Sequence, residues 1–198
     1  LLVKAVEEFN STVYFNEEVP KVGVVGEIYV KYNSYAHYRV VDKLIKARIE
    51  PVVPPLLDFI TQYFVNSYAC EDNDIIETSR KRRFIKSKIE WLANSIIGRF
   101  EEIYREFRFY RPSRSIHAEA EGAAELINLY NQYGEGWLIA GEIAGFAEEG
   151  VNSVVSFQPF GCIANHIISK GIESKIKRRY PQMNLLYLDF DSGTSEVN

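Results

Sequence analysis

Four short runs rich in β-branched or apolar residues, KVGVVG from Lys21, EPVV from Glu50, VNSVVSF from Val151 and MNLLYLDFD from Met183, are separated by stretches long enough for at least one helix each. No other feature limits the possible folds as much. Strands that alternate with helices pair in parallel through right-handed crossovers, so these runs predict one parallel sheet with helices on its faces. The expected fold is α/β, a flavodoxin-like or Rossmann-like three-layer sandwich whose four-stranded parallel sheet has the order 2-1-3-4. Function in such a sheet collects at the carboxyl ends of the strands.

The intervening segments read as helices. YAHYRVVDKLIKARI (35–49) repeats Val40, Val41, Leu44 and Ile45 at helical spacing, and LLDFITQYFVNSYA (56–69) continues as an aromatic-rich helix. From 72 to 109 the pattern is long, charged and helical, with an apolar stripe of Phe84, Ile85, Ile89, Leu92, Ile96, Phe100, Ile103 and Tyr104. It contains no strand signal and is expected to be part of a helical insertion over about 72–131. Ser113 or Ser115 can cap a helix at 116–131. NQYGEGW (131–137) is a Gly-rich loop, WLIAGEIAGFAEEG is a helix closed by Gly150, and 162–179 is a further helix. Residues 1–19 combine a short helix-like segment with a polar connector, which leaves 20–198 as a single α/β domain. The chain opens on Leu-Leu and closes on DSGTSEVN, which reads like the start of another element, so a segment of a longer protein is expected.

Charge and cysteine content exclude several classes. A formal net charge of −4 gives no general attraction to nucleic acid or to an anionic membrane. SRKRRFIKSK (79–88) holds six basic residues in ten, but acidic segments flank it; it is read as a solvated helix face, the alternative being an anion or partner site. Two cysteines make no disulfide framework, and no apolar run approaches the roughly 20 residues of a membrane-spanning helix. A reducing cytoplasm is the expected location.

Polar residues gather where the strands end. Gly26, Glu27, Tyr32 and Asn33 follow the first; Gln158, Gly161, Cys162 and His166 follow the third; Asp189, Asp191, Ser192, Gly193 and Ser195 follow the fourth. Cys162 falls in the first turn of its helix, where free N–H groups favour a thiolate, and His166 lies four residues on, on the same helical face. The pair reads equally as two metal ligands, as a nucleophile with its base, or as a half-buried thiol beside a structural histidine. Glu27 is a base, a ligand-binding carboxylate or a helix cap. Gly134-Glu135-Gly136 either brings backbone N–H groups to a phosphate or is an ordinary loop. Asp189 and Asp191 resemble a metal pair only superficially, and Cys70 is read as core.

GVVGEIYVKYNSYAH, GEGWLIAGEI and FQPFGCIANHIISKGIESKIKRRYPQMNLLYLDFDSGTSEVN together resemble a segment of the acyl-CoA dehydratase activase-related proteins, the CoA-substrate-specific enzyme activase family. That family is similar in turn to the subunits of 2-hydroxyacyl-CoA dehydratases and benzoyl-CoA reductases. The resemblance covers about residues 20–198, matching in 72–109 only in character. It implies flavodoxin-like units whose loop cysteines hold an iron–sulfur cluster, of the [4Fe–4S] kind, between domains. An ATP-dependent activator supplies a low-potential electron, which passes to an acyl-CoA thioester so that water leaves through a ketyl radical, a chemistry of anaerobic metabolism. Carried over by position, Cys162 becomes a cluster ligand; around it Gln158 and Gly161 are expected to contact the cofactor, and Glu27 and His166 to line the neighbouring pocket as catalytic groups. One cysteine cannot hold a cubane, so the other ligands are expected from other domains of the parent chain, and this segment alone should lack a stably bound cluster. The activator's nucleotide motifs are absent, so ATPase activity is expected elsewhere. The alternatives are a non-catalytic docking domain that binds a partner subunit, and a cysteine hydrolase using Cys162 and His166.

Overall fold

In the computed structural model, which describes residues 1–12, 17–191 and 193, the four expected strands are present. They are β1 Lys21–Gly26, β2 Glu50–Val52, β3 Ser153–Pro159 and β4 Asn184–Phe190. All pair in parallel in the order β2-β1-β3-β4, as the alternation of strand and helix requires. In register, Gly23 stands opposite both Val52 and Val154, and Phe157 opposite both Gly26 and Leu188.

Successive side chains alternate across a strand, so each face has its own core. Val24, Val155 and Phe157 pack on one face with Val40 and Val41 of the helix α3, Val40–Lys46. Val25 and Val154 pack on the other with α6, Ile116–Ala124, and α7, Trp137–Glu148. Helices therefore cover both faces of the sheet, which gives the three layers.

Several boundaries differ from the sequence reading. The valine-rich run from Lys21 stops at Gly26, whose φ of +117° and close approach to the Phe157 carbonyl leave no room for a Cβ. Glu27 then caps a short helix, α2 (Ile28–Tyr32), that the sequence reading did not include, its Oε2 accepting from Val30 N at 2.8 Å. The helix expected from 35 starts at Val40, because Tyr38 and Arg39 take left-handed backbone angles. Ser115 caps α6, but the helix stops at Ala124 rather than 131; farther on, Asn128 Oδ1 takes the Tyr130 N–H at 2.9 Å, bonding that competes with a helix. Gly150, at φ +78°, follows the end of α7.

The single helix expected over 162–179 is broken into α8 (Ile163–Asn165), a π-helical turn over His166–Lys170, and α9 (Glu173–Arg179). This path buries Asn165, Ile168, Ser169 and Ile172 while leaving His166 and Ile167 less covered.

The chain divides into two compact units. One holds the sheet and comprises Val19–Ala69 and the chain from Arg114 onward, so α6, expected within the insertion, packs on α7 beside the sheet. The other comprises Leu1–Glu18 and Cys70–Ser113. Within it the first helix, α1 (Leu2–Ser11), packs on α5 (Arg80–Tyr104). Asn10 there donates to the Glu106 carbonyl at 2.8 Å and accepts from Arg108 N at 2.9 Å. The remaining helix, α4 (Leu56–Asp72), begins in the sheet unit.

Candidate functional site

At the carboxyl edge of the sheet lies a cavity of about 550 Å³, bordered by Glu27, Tyr35, Tyr38, Pro159, Cys162 and Asp191. β1, β3 and β4 end there, and the polypeptide leaves each through a turn that aims side chains at the same space. After β3, Gly161 at φ +78° turns the chain, Cys162 N donates to the Pro159 carbonyl at 3.1 Å, and Cys162 becomes the N-cap of α8.

The half-buried Cys162 thiol has a fixed partner. Asn165 Nδ2 donates to its Sγ at 3.2 Å and also lies 3.1 Å from Glu135 Oε2. The other oxygen of Glu135 accepts from Ile28 N at 2.8 Å, in the first turn of α2. Ile28, Glu135, Asn165 and Cys162 thus form one hydrogen-bonded chain from the end of β1 to the thiol after β3. Glu135 and Asn165 are both buried.

This settles the two readings of Gly134-Glu135-Gly136. The loop curls tightly: at Gly136, φ +48°, a Cβ would lie 1.9 Å from the Asn131 carbonyl oxygen. It turns a carboxylate inward, which repels a phosphate rather than cradling one, and that carboxylate organises the Cys162 turn.

The other expected site residues are only partly brought together. Glu27 borders the cavity and caps α2 through one oxygen. His166 Nε2 pairs with Asp189 Oδ1 at 2.8 Å, and Lys170 approaches the second oxygen of Asp189 at 3.4 Å. His166 N donates to the Cys162 carbonyl at 3.0 Å, but among the described residues no hydrogen bond joins the Cys162 thiol to the His166 ring, so the nucleophile-and-base geometry is not formed. Gln158 is fully buried in β3, and neither atom of its amide has a hydrogen-bond partner among the described residues. Gly161 shapes the turn without lining the cavity. β4 ends at Phe190, which separates Asp189, on the His166 pair, from Asp191, on the cavity. Tyr32 Oη donates to the Pro54 carbonyl at 2.6 Å, and Asn33 Oδ1 accepts from Tyr35 N at 3.0 Å. Ser192 and Ser195 lie outside the described residues. Cys70 belongs to the other unit.

A buried charge network escaped the sequence reading. Lys31 Nζ sits 2.7 Å from Glu142 Oε1, with only 4% and 2% of the two side chains exposed. Burial raises the Glu142 carboxyl above the usual range, against the lowering pull of Lys31. Asp58 is pushed up to about 7, chiefly by burial and then by the Glu142 charge. Glu119 is pushed up to about 8 by burial, although Arg114 stands 3.2 Å away. The available signal was a charged residue inside an otherwise apolar run: Lys31 within IYVKY, and Glu142 within WLIAGEIAGF.

No family model, curated protein or solved structure matches the chain. Among the described residues, no group of three His, Cys, Asp or Glu side chains is arranged to hold a metal ion, and no helix is long and apolar enough to cross a membrane.

Proposed function

We propose that the chain is a domain of a 2-hydroxyacyl-CoA dehydratase-like or activase-related protein, in which Cys162 supplies one thiolate ligand to an iron–sulfur cluster serving low-potential electron transfer to acyl-CoA substrates. The observation that carries this reading is the Cys162 thiol. It stands at a strand end beside an open cavity, with an amide N–H from Asn165 already directed at its sulfur. Hydrogen bonds to a ligating sulfur are among the means by which a protein tunes such a group.

A cubane has four ligand positions, and the donors described here fit one of them. The remaining ligands come from outside the described residues. When bound, the cluster supplies a single electron at low potential. Cys162 anchors it, Asn165 orients and partly neutralises the thiolate, and Glu135 holds Asn165 in place. Tyr35, Tyr38 and Phe190 give the cavity aromatic walls. Glu27 uses Oε2 as a cap, which leaves Oε1 to meet a substrate proton. His166, held through Nε2 by Asp189, keeps Nδ1 for a second contact.

The test is iron and acid-labile sulfide determination on the full parent protein isolated without oxygen. Both are expected in the wild type, lost in Cys162→Ser and retained in His166→Ala. Equal iron in wild type and Cys162→Ser, or none in either, overturns the assignment.

A further inference from the structure

The cavity at the carboxyl edge of the sheet is charged in one sense only. Its acidic groups are Glu27 and Asp191, and no lysine, arginine or histidine stands among the described residues that border it. The basic groups of the neighbouring elements are engaged elsewhere: Lys31 on Glu142 at 2.7 Å, Arg39 on Asp42 at 2.7 Å, and His166 and Lys170 both on Asp189. Glu27 uses Oε2 to cap α2, which leaves Oε1 as an acceptor.

Much of the remaining lining is aromatic. The rings of Tyr38 and Phe190 lie with centroids 6.1 Å apart, Tyr29 and Tyr35 border the same space, and Tyr38 Oη donates to the Asp191 carbonyl. The face of an aromatic ring is negative and attracts a cation. An alkylammonium ion satisfies both halves of such a lining, its N–H groups meeting carboxylate and its methylenes meeting ring.

Other ligand classes fit less well. A carboxylate or phosphate would meet two like charges with no counter-cation, and a purely aliphatic group would strip water from Glu27 without replacing it. A bare metal ion lacks a donor set, since no group of three His, Cys, Asp or Glu among the described residues is arranged to hold one.

We infer that this cavity takes the ammonium end of an organic ligand, so that the acyl group of the thioester substrate carries a positively charged amine while the phosphate-bearing CoA portion stays outside. The assignment to an acyl substrate rests on the proposed dehydratase-like function, whereas the preference for a cation rests on the lining alone.

Saturation-transfer NMR on the full parent protein at low ionic strength compares pentylammonium, pentanol and pentanoate, probes matched in size that differ in charge. Pentylammonium is expected to bind at least about tenfold more tightly than pentanol, an advantage that shrinks as salt is raised, and pentanoate is expected not to bind. Asp191→Asn, on an exposed side chain, and Glu27→Gln, which keeps an oxygen to cap α2, should each weaken pentylammonium at least about threefold and leave pentanol unchanged. Tyr35→Leu should weaken it too, while Tyr35→Phe, which keeps the ring face, should not. Equal binding of pentylammonium and pentanol, a preference for pentanoate, no binding of any probe, or a pentylammonium affinity indifferent to both carboxylate substitutions overturns the inference. Iron determined on the same samples separates the two claims: iron without a cation preference sinks the amine inference alone, and a cation preference without iron removes the cluster while the cation site stands.

Discussion

Along α7 every residue from Trp137 to Ala147 is buried, whereas α5, twice as long, buries Glu90 and leaves Ile85, Ile89, Leu92 and Ile96 in solvent. The two helices differ in what lies between their large side chains. α7 spaces them with Ala140, Gly141, Ala144, Gly145 and Ala147, and at Gly141 a Cβ would fall 2.6 Å from the Glu119 carbonyl of α6. Small residues let a neighbouring helix approach until apolar surface is fully enclosed. α5 sets Lys86, Lys88 and Glu90 among its first large residues, and its Ile85, Ile89, Leu92 and Ile96 remain exposed. Complete enclosure is also what makes Glu142 costly, since a charge inside such a helix must find a partner.

The sharpest way to break this contrast is to unpair the enclosed charge. Lys31→Met leaves Glu142 buried without its cation and is expected to lower the unfolding free energy by about 4 kcal/mol in urea denaturation. The double change Lys31→Met/Glu142→Leu should recover most of that loss. Ile143→Ala, a cavity in the enclosed helix, is expected to cost about 3 kcal/mol by the same method. On the open helix, Leu92→Gln should change stability by no more than about 0.5 kcal/mol. A large loss from Leu92→Gln would mean that the α5 face is already covered.

A pH series sharpens the same point. Asp58 and Glu119 titrate near 7 and 8 in the folded protein, against about 4 when unfolded. Both therefore hold protons more tightly when folded, so their contribution to stability is present at low pH and is lost as pH rises from about 4 towards 8. Asp58→Asn or Glu119→Gln is expected to raise the melting temperature at pH 8 more than at pH 5. The smallest expected effect with a distinct signature belongs to Asn165→Ala. It should keep iron bound through Cys162 while making the reduction potential more negative, because the N–H to the sulfur is gone.

The sheet was legible because its signal is local and repeated: four apolar runs of strand length, separated by helices, admit essentially one kind of layering. The edges of elements were less so. α2 was missed because Ile28-Tyr29-Val30 is β-branched and aromatic, and what makes it helical is the Glu27 cap together with the turn at Gly26. The break in the helix after Cys162 was missed because its one marker, Gly171 directly after the π-helical turn at His166–Lys170, is a lone glycine of the kind a helical pattern tolerates. Residues 116–124 read as part of an insertion since helical periodicity does not say which neighbour a helix packs on. At the site, the strand-end position of Cys162 and Glu27 followed from topology alone. Its wiring did not: Glu135 and Asn165 are separated by 30 residues and meet only once the sheet has formed.

Low-temperature electron paramagnetic resonance of the parent protein, isolated and reduced without oxygen, tests the central claim most directly. A signal from a reduced iron–sulfur cluster in the wild type, absent or altered in its g values in Cys162→Ser, is the predicted result. An identical spectrum in the two proteins, or silence in the wild type, would contradict the assignment of Cys162 as a ligand.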